Sequence, residues 1–273
     1  MSLLDKFSLK DRVIVVTGGT GVLGEAFVSA IAQAGAKIVI LGRDQSRLEQ
    51  RIELAKSFGV EAIGIVANVL NEKEIIQAKN EILEHFGTID GLLNAAGGNI
   101  PGATIGPDDN LFDNALSETF KSIELNLYGT IIPTHIFGRV IAEKGKGSIV
   151  NISSITASRA MTRVLGYTVA KHGISGYTKW MATELSLRYG DKVRVNAIAP
   201  GVFLTYQNQK LLTNLDGSFT ERAQKIVNNT PFSRLGIPED SQGTLIYLLS
   251  DASAFVNGET IFVDGGINAW NGV

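Results

Sequence analysis

The chain has no cysteine among its 273 residues, which removes disulfides, thiolate nucleophiles, iron–sulfur clusters and cysteine-ligated zinc together. Histidine is scarce too. His85, His135 and His172 stand far apart and form no HxxxH pair, so neither a metal site nor Ser-His catalysis is expected. Charge of one sign is also missing. With 25 Lys+Arg against 27 Asp+Glu the net charge is −2, which argues against a nucleic-acid partner held by phosphate neutralisation. Apolar runs stay below the roughly 18 residues of a membrane span, so no membrane partner is expected. The stretch MSLLDKFSLKDR is charged and has no apolar core; no secretory signal is expected, and the expected location is cytoplasmic. The balance of 44% hydrophobic to 19% charged residues belongs to a globular chain.

What the chain has in excess is glycine, 30 residues, or about 11% against an ordinary 7% or so. No collagen period or low-complexity tract absorbs them, so they belong at turns and where backbone meets a ligand closely. Short β-branched runs alternate with helical patterns. Strands are expected at Arg12–Val16, Lys37–Leu41, Ala62–Val66, Ile89–Asn94, Ser148–Ile152, Val193–Ile198 and Ile261–Val263. Helices are expected at Gly21–Ala34, Asp44–Phe58, from Asn71 to Phe86, and as long elements at Ser117–Glu143 and Val164–Tyr189, with Pro238 opening a last one. Gly35, Gly59 and Gly87 close the first three helices, and Asn71 with Glu74 has capping-box spacing. This alternation predicts an α/β single-domain Rossmann fold over 1–273, a doubly wound parallel sheet of about seven strands with helices on both faces. No Pro/Ser-rich linker divides it; the cofactor half is expected at about 1–150 and the catalytic half at about 151–273.

Two constellations carry chemistry. Thr17-Gly-Gly-Thr-Gly-Val-Leu-Gly24 holds GxGxxG at Gly19, Gly21 and Gly24, between a predicted strand and a predicted helix. Glycines there let a pyrophosphate approach the backbone, and the helix start offers N–H groups and a positive dipole end. A tight turn that needs glycine for sterics alone is the competing explanation. A P-loop is disfavoured, because Glu25 follows where lysine should stand. The second constellation is Tyr167-x-x-x-Lys171, two residues on one helical face. A tyrosine with its usual pKa near 10 needs a nearby cation to exchange protons at neutral pH. Ser154, thirteen positions earlier, stands at a strand's carboxyl end, where open α/β sheets bind ligands.

With Asn94-Ala-Ala-Gly97, Asn126 and Pro200-Gly-x-x-x-Thr205 added, the whole chain resembles the short-chain dehydrogenase/reductase (SDR) family. The resemblance implies an oxidoreductase in which Tyr167 is the acid/base and Lys171 lowers its pKa and holds the nicotinamide ribose. Ser154 would bond the substrate oxygen, and Asn126 would support a water relay behind Lys171. The cofactor would meet Gly18, Thr20, Gly21, Val22, Leu23, Gly24, Arg43, Asn68, Val69, Asn94, Ala95, Gly97, Pro200, Gly201, Val202 and Thr205, the last two at the carboxamide. Two positions depart from the compact SDR pattern. Val22 stands where the middle glycine of TGxxxGxG is usual, predicting a shifted phosphate turn, and Asn68 replaces an aspartate often found near the adenine.

Cofactor choice turns on the end of the second strand, Gly42-Arg43-Asp44. An acid there favours NAD and an arginine favours a 2′-phosphate. NADP is favoured, NAD is the alternative, and Asp44 is expected to cap the next helix. The loop 98–109, with Asn99, is expected to line the substrate pocket. Arg159 and Arg163, between Ser154 and Tyr167, suit a carboxylate if they are not solvated surface residues. Gln207 and Asn208 offer amides to hydroxyls, and 204–231 is the expected substrate lid. Together with GGN-x-PGAT at Gly97–Thr104 and Phe203-Leu-Thr-x-Gln-Asn208, these features resemble the SDR-type D-mannonate oxidoreductases (fructuronate reductases). Gluconate, ketose, polyol or 3-oxoacyl reduction, or a silent dinucleotide sensor, are the alternatives. The resemblance further implies a homo-oligomer, dimer or tetramer, paired through the long helices.

Overall fold

The computed structural model describes residues 2–113, 115–205 and 208–271. Seven strands form one parallel sheet: β1 (Val13–Thr17), β2 (Lys37–Gly42), β3 (Ala62–Val66), β4 (Gly91–Asn94), β5 (Gly147–Ile152), β6 (Val193–Pro200) and β7 (Thr260–Val263). Their order is β3-β2-β1-β4-β5-β6-β7. The fold is the expected single-domain Rossmann-like α/β fold. Every residue of β1 and β6 is buried, as strands covered on both faces require, and in β6 these include the hydrogen-bonded Arg194 and Asn196.

Helices cover both faces. The core on one side gathers β-strand residues with Phe27, Ile31, Leu48 and Leu248, from α1 (Val22–Gln33), α2 (Gln45–Ser57) and α9 (Gln242–Leu249). The opposite core holds Ile75, Ile82, Phe137, Ile141, Met181 and Leu185, from α3 (Glu72–Phe86), α5 (Gly129–Lys144) and α6 (Leu165–Tyr189). The expected caps are present: the Asp44 carboxylate accepts from the Arg47 N–H, and Asn71 accepts from the N–H groups of Lys73 and Glu74. Gly87 closes α3 with φ +72.

The long helix expected at Ser117–Glu143 is divided. α4 (Leu116–Ile123) passes through a π-helical stretch, Glu124–Tyr128, before α5 begins. Pro133, inside α5, withholds an N–H from the ladder one turn later. The expected lid contains two short helices, α7 (Gln209–Leu212) and α8 (Glu221–Asn228). Among the described residues no helix is long and apolar enough to cross a membrane, and no cluster of three metal-ligating side chains occurs.

Candidate active site

The sheet order places β1 between β2 and β4, so the connections after these strands diverge at the carboxyl edge. Register aligns Thr17 with Leu41 and Asn94, and Asn94 with Asn151. The Thr17 hydroxyl accepts from the N–H groups of Ala95 and Ala96 at 3.2 and 3.3 Å, tying the phosphate turn to the turn after β4. Gly18 has φ +66, and a Cβ there would lie 2.6 Å from the Ala96 backbone. Gly24 packs directly on the carbonyls of Gly18 and Gly19. Gly21 begins α1 and supplies no side-chain cap, in contrast to the capped α2 and α3. An anion is what such an uncapped helix start lacks. This glycine cradle fits a dinucleotide pyrophosphate, over Gly18, Thr20, Gly21, Val22, Leu23 and Gly24.

At the end of β2, Arg43 is exposed, while the Thr20 side chain fills the space beside Gly42; a Cβ on Gly42 would meet Thr20 Cγ2 at 2.5 Å. Asn68 is half-buried, its carbonyl oxygen accepting from the Leu70 N–H, and Val69 is buried against Gly129. Asn94 turns inward. Its amide donates to Thr134 at 2.8 Å and to Asn151 at 2.9 Å, and Asn151 donates on to Thr178, so it braces β4 against β5, α5 and α6. Only the backbone there, with Ala95 and Gly97, is open to a cofactor.

The catalytic candidates gather at the end of β5. Ser154 is 6% exposed, and its hydroxyl accepts from the Thr156 N–H at 3.2 Å. It also lies close enough to Tyr167 to oppose the effect of burial, which raises the phenol above its usual pKa. Lys171 is 3% exposed, donates to the Ile152 carbonyl at 2.7 Å and has its ammonium 5.3 Å from the Tyr167 ring centre. Burial pulls its pKa down to about 7. Asn126 is fully buried in the π-helical stretch. Its carbonyl oxygen accepts from the Gly98 N–H and its amide donates to the Gly98 carbonyl, both at 2.9 Å. Gly97, at φ +157, sits where a Cβ would be 2.6 Å from the Asn126 oxygen and 3.7 Å from Lys171 Nζ. Gly98 opens the loop expected to line the substrate pocket, and the structure adds its paired bonds to Asn126.

The outer residues divide. Pro200 ends β6, and Gly201 packs against the Asp264 backbone. Val202 and Thr205 follow on the loop, where the Asn208 side chain accepts from the Thr205 N–H and donates to the Phe203 carbonyl, both at 2.8 Å. Asn208 therefore ties its own turn together. Gln207 lies outside the described residues. Arg159 is exposed and donates to the Trp270 carbonyl in the C-terminal tail, while the Ser158 hydroxyl donates to Asn268 at 2.6 Å. Asn99 is exposed on the loop after β4. Arg163 is half-buried, with its backbone tied to that loop: the Ile105 N–H donates to its carbonyl at 2.9 Å.

Comparison with known proteins agrees with this geometry. A family model described as Enoyl-(Acyl carrier protein) reductase matches residues 20–268. The chain is 38% identical over 275 residues to the Bacillus subtilis (strain 168) "Uncharacterized oxidoreductase UxuB", covering 97% of this chain and 98% of that one. A crystal structure of a "putative D-Mannonate oxidoreductase" from Haemophilus influenza with bound NAD superposes at TM-score 0.90, with 36% identity over 97% of this chain and 98% of that chain. A gluconate 5-dehydrogenase from Burkholderia cenocepacia J2315, in complex with NADP and tartrate, gives TM-score 0.86 and 29% identity over 98% and 100%. The chain belongs to the short-chain dehydrogenase/reductase family and is an NAD(P)-dependent oxidoreductase acting on CH-OH groups.

Proposed function

We propose that this oxidoreductase interconverts the ketone of D-fructuronate and the hydroxyl of D-mannonate. The observation that carries the reading is the meeting of Ser154, Tyr167 and Lys171 at the carboxyl end of β5, with the half-buried Arg163 four residues before Tyr167. Bound nicotinamide supplies or accepts the hydride. Ser154 orients the substrate oxygen with its hydroxyl, and Tyr167 gives that oxygen its phenolic proton in reduction and takes it back in oxidation. Lys171 holds the nicotinamide ribose and, when charged, favours the phenolate. Asn126 fixes the Gly97-Gly98 backbone beside Lys171 and supports the water path that returns the proton.

Arg43 supports NADP as the preferred cofactor, since it is exposed at the end of β2 and has no ion pair among the described residues. The neighbours carry both forms, NAD in the Haemophilus structure and NADP in the Burkholderia one. Residues 204–231, bearing α7 and α8, form the lid. The enzyme acts in the cytoplasm as a dimer or tetramer. Exposed Phe120, Val169 and Trp180 on α4 and α6 supply apolar surface for pairing.

The gluconate 5-dehydrogenase likeness favours a second reading, oxidation of an aldonic acid at another carbon. One screen separates the two: initial rates for D-fructuronate, D-mannonate, D-gluconate, 5-keto-D-gluconate and neutral ketoses with each cofactor. D-Fructuronate reduced with the highest kcat/KM, and NADPH used better than NADH, is the expected result. Turnover confined to the gluconate pair would replace the substrate assignment and leave the fold and chemistry standing.

A further inference from the structure

Among the described residues after β7 there is no further strand or helix, yet this short run is tied down on two sides. At its root the Asp264 carboxylate accepts from the N–H groups of Gly266 and Asn268, both at 2.9 Å, which curls residues 264–268 into a tight turn. Gly265 and Gly266 have φ +65 and +91, a region that glycine adopts without steric cost. A Cβ on Gly265 would lie 2.9 Å from Thr230, and one on Gly266 would lie 3.2 Å from Pro231, so the turn rests directly on residues 230–232. The Phe232 N–H donates to the Gly265 carbonyl at 3.1 Å. Thr230 in turn closes α8, its N–H donating to the Val227 carbonyl at 3.0 Å and its hydroxyl to the Ile226 carbonyl at 2.8 Å. One side of the turn is therefore fixed to the foot of α8.

The other side reaches the turn that carries Ser154. The Ser158 hydroxyl donates to the Asn268 side-chain oxygen at 2.6 Å, and Arg159 donates to the Trp270 carbonyl. The N–H groups of Ser158 and Arg159 both donate to the Ile155 carbonyl, at 3.0 and 2.9 Å, and the Ala157 N–H donates to the Ser154 carbonyl at 3.0 Å. From Asn268 to Ser154 the path runs through Ser158 and Ile155, and every link is a hydrogen bond or the chain itself. Close packing does not set the spacing between the two sides. A cavity of about 160 Å³ lies where the foot of α8 (Thr230, Phe232), the loop after β6 (Val202, Phe203) and the root of the turn (Asp264, Gly265) meet. Phe232 is 70% exposed. Segments separated by such a space are held by their hydrogen bonds.

We propose that residues 264–271 are a strap between the Ser154 turn and the foot of α8, and that Asn268, acting through Ser158, is a positioning residue for the reaction. This rests on the reading of Ser154 as the group that orients the reacting oxygen, and it is indifferent to which substrate is turned over. A displacement of about 1 Å at a catalytic group can cost about 100-fold in rate. Loss of one exposed hydrogen bond in the strap costs less, about 3- to 10-fold, because the Arg159 bond and the glycine turn remain.

The test compares the intact enzyme with NADPH bound in wild-type, Asn268→Ala, Asn268→Asp, Ser158→Ala and Ser158→Thr forms, with the double alanine variant. Initial rates are measured on the substrate that the screen above turns over fastest, beside NADPH affinity and hydrogen exchange over residues 155–159. Each single alanine variant is expected to lower kcat about 3- to 10-fold, to leave NADPH affinity within about twofold and to speed exchange over 155–159. The double variant should lose no more than either single one, as two halves of one bond must. Asn268→Asp keeps the acceptor and Ser158→Thr keeps the donor, so both should stay near the wild type. A general loss of stability would not be rescued in this way. The proposal is overturned if Asn268→Ala keeps the wild-type kcat or leaves exchange over 155–159 unmoved. A Ser154→Ala control that works at the wild-type rate would instead overturn the reading of Ser154, and the strap would then stand or fall by the exchange data alone.

Discussion

Lys171 combines burial with a charge that the chemistry needs. Its ammonium, 3% exposed, has the Ile152 carbonyl at 2.7 Å and the Tyr167 ring beside it, and burial brings its pKa down to about 7 from an ordinary 10.5. A folded chain that holds this proton less tightly than the unfolded chain loses stability as pH falls through that interval. Below pH 7 the full cost is present, and above about 10.5 it is gone. Stability of the cofactor-free enzyme is therefore expected to gain up to about 1.4 kcal/mol per pH unit from this residue as pH rises from 7 toward 10. Urea melts at several pH values should show that gain shrinking in Lys171→Met; an unchanged slope would mean that the lysine is solvated. Tyr167 is shifted by burial in the direction that opposes ionisation, and the Ser154 hydroxyl acts against that shift.

Sequence signals differ in how much geometry they carry at this scale. Tyr167 and Lys171 were legible because helical spacing puts i and i+4 on one face whatever the packing. The local bonds of Asn208 were not legible, because an amide suited to a sugar hydroxyl is equally suited to the backbone of its own turn. Arg159 and Arg163 look alike in sequence. Only the docked C-terminal tail and the left-handed φ at Arg163 separate them.

Strands and helix caps followed their sequence patterns to within a residue or two, since buried runs and capping side chains act locally. The π-helical stretch around Asn126 did not. An apolar period read over Ser117–Glu143 predicts an unbroken helix, and the extra residue in the turn is fixed by tertiary contacts, among them the paired hydrogen bonds from Asn126 to Gly98. At the junction of β2 with the phosphate turn, Thr20 occupies the volume that an acid at position 42 would need. Gly42→Asp alone is thus expected to cost stability while improving NADH use little. Thr20→Gly with Gly42→Asp should move the NADH/NADPH ratio of kcat/KM at least about tenfold toward NADH, the scale of one charged hydrogen bond to the ribose. Equal ratios in the single and double variants would show that Thr20 does not guard the position.

At the scale of the molecule, one parallel sheet turns the ends of β1, β2, β4, β5 and β6 toward a common edge, and each brings a different part of the reaction. On the proposed reading the glycine turn after β1 receives phosphate and the end of β2 meets the ribose; β4 ends in the Asn94 brace, and β5 delivers Ser154. The segment after β6 runs through Thr205 toward α7 and α8, the proposed lid. Single-domain packing keeps these loops in register, so the order of motifs along the sequence was enough to foretell the architecture, while the distances between loops were not. The central claim is that Tyr167 moves the proton that accompanies hydride transfer. Tyr167→Phe keeps the ring and the packing and removes only the hydroxyl. Initial rates of NADPH oxidation with D-fructuronate, measured beside NADPH binding, test it most directly. The account predicts that turnover falls at least about 100-fold while NADPH affinity stays within about threefold; a phenylalanine variant that reduces D-fructuronate at the wild-type rate would contradict it.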